Sequence, residues 1–392
     1  MGQEWALAAA WVGLALAASV ISIRTAVSVA LVEILVGVLA GNLFHLGSTE
    51  WTTFLASFGS VLLTFLAGAE VEPDVLRKYL KESIVLGAMG FLAPFLGVAA
   101  LCRYAAGWSH DAAIIGGIAL STTSVAVVYA VMVETGLNRT ALGKVVLAAC
   151  FINDLGTVLA LGIFFARPGV WLWGFAGASV VTLAVLPTLL RLVLGRLGTH
   201  VSEPATKLLF LALFGLGALA AKANSEAVLP AYLLGITVAQ IFAEQREMVR
   251  RLRTTTFALL TPFYFIRAGS LVSLSAVWSG AAMVAALLAA KMTTKIVGIY
   301  PLTRFFSFGP RKGWYTTLLM CTGLTFGTIS AMFGYNRGII TQAQYSFLVT
   351  AVIASAVVPT VIAQAWVRPN LREAETVRES PARASGEASG VR

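Results

Sequence analysis

The sequence predicts an all-α polytopic membrane protein of about thirteen transmembrane helices, and three features lead there. The chain is 58% hydrophobic and only 12% charged over 392 residues, more apolar side chain than a water-soluble core can hide. Apolar runs of roughly 20 residues, enough to span a bilayer, recur from end to end with short polar breaks between them. Lys and Arg alternate between successive breaks. Odd-numbered breaks hold about sixteen of them, for instance Arg191, Arg196 and Lys207, and even-numbered breaks hold four. That asymmetry predicts N-out and C-in, and it accounts for the net charge of +10 without nucleic acid.

The first run starts near Trp5 after a segment, Met1 to Glu4, with no basic residue, so it is expected to be a retained span and not a cleaved leader. The next runs begin near Ala26, Thr52, Ile84, Asp111 and Leu142. The second carries Glu33, the third ends at Glu70, the fifth contains Ser121-Thr-Thr-Ser124 and the sixth contains Asn153 and Asp154. The seventh, from about 169 to 194, is expected to be a linker. The remaining runs begin near Ala205, Val228, Thr255, Trp278, Gly313 and Thr341. Of these, the tenth carries Arg267, the eleventh Lys291 and Lys295, and the twelfth Thr322 and Thr325. A membrane domain over 1–367 and a polar cytoplasmic tail over 368–392 are expected.

Weak self-similarity appears at an offset of about 200 residues, the kind of long period that repeat-built transporters show. Glu33-Ile-Leu-Val-Gly37 aligns with Ala231-Tyr-Leu-Leu-Gly235, and Phe65-Leu-Ala-Gly68 aligns with Phe265-Ile-Arg-Ala-Gly269. The pairs are seven runs apart, an odd number that reverses the second copy, giving inverted-topology repeats at about 26–166 and 228–366. The same offset pairs Ser121–Ser124 with Thr322–Thr328. Both segments are hydroxyl-rich in mid-membrane, and hydroxyls satisfy backbone freed by a break, so two broken helices are expected there. Close packing through small residues is the alternative.

A charge at mid-bilayer costs several kcal/mol unless paired or hydrated, so each one needs an account. Asp154 carries the strongest functional signal. A lone carboxylate there accepts a proton or a cation but not easily both, so the two ligands compete. That is the minimal chemistry of an exchanger; the alternative is a buried Asp locked to Lys or Arg. Lys295, and more weakly Lys291, is the available partner, either as a proton-releasing group or as a fixed counter-charge. Asn153 can cap a broken helix or orient Asp154. Arg267 suits a permanent ion pair, with Glu33 as its partner or bonded to backbone. His45, His110 and His200 lie near breaks and are expected to be solvated. Cys102, Cys150 and Cys321 lie in apolar runs without metal spacing. No nucleotide-binding glycine pattern, covalent catalytic constellation or repeated carbonyl filter is present, which argues against an enzyme or a potassium channel and for no cofactor.

Residues 24 to 366 resemble the monovalent cation:proton antiporter superfamily, in the branch of the sodium/proton antiporter NapA and the KefC membrane domain. The most specific match is Ser121-Thr-Thr-Ser-Val125, Glu134-Thr-Gly136, Arg139 and Phe151-Ile-Asn-Asp-Leu-Gly156. Pro262-Phe-Tyr-Phe265 and Thr294-Lys-Ile-Val-Gly298 match more weakly. The resemblance implies Asp154 as the Na+ or K+ ligand and proton carrier, Thr123 and Ser124 at the unwound helix, and Lys295 as the membrane lysine. Lys295, Arg267, Glu33 and Glu70 are expected to be modulating charges, and Thr322 and Thr325 are expected to belong to the second broken helix. It further implies a homodimer in the bacterial inner membrane and an elevator form of alternating access. Asn153 replaces the first acid of the family's pair, and Thr325 stands where many relatives have an acid, so electroneutral exchange is expected. A sodium-coupled organic-anion symporter of the bile-acid carrier type is the alternative.

Overall fold

In lipid every backbone amide must be satisfied within its own segment, and the apolar runs accordingly form helices. The structure, a computed structural model, describes residues 2–25, 29–44, 49–69, 79–137, 140–165, 169–197, 202–223 and 227–370, except the side chains of 2, 3, 126, 130, 133, 134 and 246. Among the described residues there is no strand. The helices are α1 (Gly2–Thr25), α2 (Val29–Leu43), α3 (Glu50–Ala69), α4 (Leu80–Ala100, extended by a π-helical turn to Ala105), α5 (His110–Ser121), α6 (Val125–Glu134), α7 (Ala141–Phe165) and α8 (Val170–Leu197). There follow α9 (Pro204–Lys222), α10 (Val228–Glu244), α11 (Arg246–Thr255), a π-helical turn (Thr256–Leu260), α12 (Thr261–Ser270), α13 (Leu274–Ser279), α14 (Ala281–Phe305), α15 (Pro310–Met320), α16 (Thr325–Asn336) and α17 (Gln342–Trp366). Among the described residues nine helical segments are long and apolar enough to cross a bilayer, counting Pro310–Asn336 as one, and three shorter apolar helices join them. The chain is an integral membrane protein.

Two units divide the chain. The first comprises Met1–Asp74, Leu155–Ser279 and Thr341–Ser346. Its helices cross where glycines let backbones meet. A Cβ on Gly37 would run into the Ile266 carbonyl and one on Gly41 into that of Ser270, while one on Gly269 would run into Ile34. This matched order, together with the bond from Asn42 Nδ2 to the Val272 carbonyl (2.8 Å), sets α2 and α12 side by side in the same direction. α3 and α10 meet likewise, Gly68 against the Tyr232 backbone and Gly235 against that of Phe65. A core of Leu62, Phe65, Leu190, Leu209, Leu213 and Leu234 extends through α8, α9 and α10.

The second unit comprises Val75–Asp154, Gly280–Ile340 and Phe347–Arg392. Here α4 packs on α5 and α14, and α16 packs on α5. Leu86, Val146, Ile299, Tyr315 and Leu319 form its core. Both breaks expected in the sequence are present: the chain leaves helix at 122–124 between α5 and α6, and at 321–324 between α15 and α16. The α11 helix occupies a stretch where a polar connection was expected, and the short α13 overlaps the start of the run expected near Trp278. Of the tail expected from 368, residues 371–392 lie outside the described residues, as do His45, His200, Glu70 and Arg139.

Candidate functional site: a carboxylate beside two broken helices

The break after α5 begins where Ser121 and Thr122 turn their hydroxyls back on the carbonyls of Ile118 (2.8 Å) and Ala119 (3.1 Å), competing with the helical ladder. Thr122 is extended, with φ −64° and ψ 153°. Ser124 then starts α6 by accepting a bond from the Val127 amide on its Oγ (3.3 Å). In the second break Thr322 Oγ1 donates to the Leu319 carbonyl (2.7 Å). The breaks are tied together: the Ser124 amide donates to the Thr322 carbonyl (3.2 Å), and Thr123 Oγ1 donates to the Met320 carbonyl (2.9 Å).

Lys295, on α14, completes this junction. Its Nζ donates to the Met320 carbonyl (2.6 Å), to Thr123 Oγ1 (2.7 Å) and to the Thr122 carbonyl (2.9 Å), one acceptor for each ammonium proton. It therefore sits at the C-terminal ends of both α5 and α15, where the helix dipoles favour a cation. One turn earlier, Lys291 donates to Ser355 Oγ of α17 (2.9 Å) and fills the space where a side chain on residue 323 would stand, which is why glycine fits there. Both lysines are fully buried.

Asn153 joins the same junction from α7. Its Oδ1 accepts the Thr123 amide (2.9 Å) and its Nδ2 donates to the Ser121 carbonyl (3.2 Å), so the amide bridges the first break with both ends, which an aspartate could not do. Asp154, next to it, is 1% exposed, and its Oδ1 has no hydrogen-bond partner among the described residues. No ion pair joins Asp154 to Lys295 or Lys291 among those residues.

The structure brings together Asp154, Asn153, Thr123, Ser124, Thr322 and Lys295, all in the second unit. Thr325 is the first residue of α16 and is half-buried. Glu33 and Arg267 are buried in the first unit. Of the two alternatives for Glu33, Arg267 or backbone groups, no ion pair with Arg267 is found among the described residues, and Glu33 Oε2 has no hydrogen-bond partner among them. Glu70 and the side chain of Glu134 lie outside the described residues. Sequence reasoning did not find Ser355. A lone serine in an apolar run carries no signal of its own, and only the fold sets it against Lys291, 64 residues away.

The family model for the transmembrane sodium/hydrogen exchanger matches residues 9–368. The chain belongs to the sodium/hydrogen exchanger family. Among similar members, a probable Na+/H+ antiporter of Methanocaldococcus jannaschii is 23% identical over 352 residues, covering 87% of this chain and 90% of that protein. A Na+/H+ antiporter of Enterococcus hirae is 26% identical over 365 residues, covering 87% and 92% respectively. In fold, this exchanger-family chain resembles the solved structure of the sodium proton antiporter MjNhaP1 from Methanocaldococcus jannaschii, with a TM-score of 0.69 and 13% sequence identity, covering 95% of this chain and 98% of the other.

Proposed function

We propose that the chain is a secondary antiporter exchanging Na+, or K+, for H+, with Asp154 as the group that carries either. One observation carries this: Asp154 is a wholly buried carboxyl whose Oδ1 is unclaimed among the described residues, while the neighbouring lysine is spent on three other acceptors. A buried carboxylate without an ion-pair partner must be neutralised, and a proton and a cation are mutually exclusive ways of doing so. Names of family relatives agree with that chemistry.

The cation is completed by water and by hydroxyl oxygens near Thr123 and Ser124. Thr123 Oγ1 already donates one bond and accepts another, and Ser124 Oγ already accepts one, so each contributes a lone pair at most. Exchange is electroneutral, one cation for one proton, because Asn153 cannot titrate and each load gives the site the same charge. Alternating access is of the elevator type, the second unit carrying Asp154 across the bilayer. The chain works as a homodimer in the bacterial inner membrane with its C-terminus cytoplasmic.

Inverted repeats at about 26–166 and 228–366, joined by the linker at 169–194, supply the architecture. The glycine crossings support this. Under the offset, Gly37 corresponds to Gly235 and Gly68 to Gly269, so the α2–α12 crossing maps onto the α10–α3 crossing. The shared direction of α2 and α12 is what inversion of the second copy requires.

The test is cation-driven proton flux in proteoliposomes with Na+, K+ and Li+ compared at two clamped voltages. Flux independent of voltage and lost in Asp154→Asn is expected. Normal exchange by that variant, or no proton movement with any cation, rejects the antiporter assignment.

A further inference from the structure

Helix α2 is apolar from Val29 to Gly41 except for Glu33. That side chain is 1% exposed, its Oε2 has no hydrogen-bond partner, and no ion pair includes it among the described residues. Gly37 and Gly41 follow Glu33 at one and two turns, so the three share one side of α2, and both glycines meet the α12 backbone directly. Packing does not call for an acid at such a place. In the sister crossing of α10 on α3, Ala231 stands before Gly235 as Glu33 stands before Gly37, and Ala231 is fully buried.

The helices packed on α2 are α1 and α12. α1 carries Glu4 in its first turn and Arg24 in its last. α12 carries Tyr264 and Arg267, but its α2 side is marked by Ile266, Gly269 and Ser270; at about 3.6 residues per turn Tyr264 falls on the opposite side and Arg267 more than a quarter turn away. Oxygens that could share a cation are scarce as well. No other side chain of α2 as far as Gly41 has one, and Thr261, in the first turn of α12, spends its hydroxyl on the Thr256 carbonyl (3.0 Å). Asp154, by contrast, lies in the unit that holds both hydroxyl-rich breaks. A buried carboxyl with neither a counter-charge nor oxygen neighbours is neutralised by a proton alone.

We propose that Glu33 is a proton-only site of the first unit: its proton lets α2 lie on α12, and loss of that proton slows exchange. An ionised Glu33 must draw water, and the backbone contacts at Gly37 and Gly41 give water no place unless α2 and α12 part. α7 runs unbroken from Ala141 to Phe165, with Asp154 in the second unit and Leu155 onward in the first, so loosening the first unit loosens the helix that bears Asp154. A proton on Glu33 does not compete with the cation, unlike one on Asp154. The effect on exchange rests on the antiporter reading; the proton itself does not.

Two measurements test it. In infrared spectra of the purified full chain at neutral pH, in a detergent without ester groups, Asp154→Asn should keep a protonated-carboxyl stretch and Asp154→Asn/Glu33→Gln should lose intensity there. Equal intensity overturns the proposal, whether or not the chain exchanges ions. In proteoliposomes, exchange of radiolabelled for unlabelled Na+, or K+ if that is the ion carried, needs no proton on Asp154, so at saturating cation Asp154 alone predicts a level rate in alkali. The unmodified protein is instead expected to lose rate roughly tenfold per pH unit once Glu33 ionises, with KM unchanged, while Glu33→Gln holds its rate. A level rate in the unmodified protein, or parallel losses in both, overturns the proposed effect on exchange. No cation exchange at any pH rejects the antiporter reading instead and leaves the infrared comparison to decide the proton. Should Glu33→Gln not fold, Glu33→Ala, the side chain that the sister crossing accepts, replaces it in both measurements.

Discussion

Replacing Lys295 by Met keeps the length of the side chain and removes its three donors. The Thr122 carbonyl loses its bond from Nζ (2.9 Å), and the Met320 carbonyl loses the shortest one (2.6 Å) but keeps that from Thr123 Oγ1 (2.9 Å). A buried acceptor left unsatisfied costs about 1–3 kcal/mol, so one full and one partial loss come to about 2–4 kcal/mol. Removing a buried ammonium returns part of its desolvation cost, leaving a net loss of about 1–3 kcal/mol. Denaturant unfolding in detergent, followed by tryptophan fluorescence, measures it. Lys291→Met is the control: it removes one bond, to a hydroxyl that still donates to the Val352 carbonyl (2.8 Å), and should cost about 1 kcal/mol or less. Lys295→Met within about 0.5 kcal/mol of the unaltered protein, or less damaging than Lys291→Met, would show that Lys295 does not clamp the two breaks.

Other consequences follow from the same geometry. Asn153→Ala strips the bridge across the first break and should destabilise by about 1–3 kcal/mol while raising the KM for the cation; Asn153→Asp should do no better at neutral pH, because its second oxygen meets the Ser121 carbonyl, and an unchanged KM in both would refute the bridging role. Gly37→Ala drives a methyl into the Ile266 carbonyl, so α2 and α12 must separate at a cost of about 1–3 kcal/mol, and Gly235→Ala should behave alike in the α3–α10 crossing, both read from unfolding midpoints. Hydrogen bonds from Arg250 and Arg251 hold the Glu247 carboxyl below its usual range. Its contribution is therefore present above the unfolded value near about 4.3 and lost as the pH falls through the lower folded value, so Glu247→Gln should lower the melting temperature slightly at pH 7 and not in strong acid.

What the sequence by itself determined is what lipid and the backbone dictate locally. Apolar runs of spanning length must be helical because the bilayer offers no other partner for their amides, and Asp154 stands out because hydrocarbon cannot solvate a carboxylate. The breaks at 122–124 and 321–324 were legible because hydroxyls that bond back to the ladder, joined in the second break by Gly323, are written in adjacent residues. The division of α11 into two faces was also present in its spacing, but surrounded by arginines it reads as a plain polar connection until Met248 and Leu252 are seen in the core. Only tertiary structure decided where the buried charges point. Lys295 reaches carbonyls 173 and 25 residues away and not Asp154, Lys291 meets Ser355 64 residues away, and Glu33 and Arg267 belong to the other unit from Asp154. Composition can say that a membrane-buried charge needs a partner; which acceptor lies within 3 Å of it depends on how distant helices cross, and the chain settles that only by folding.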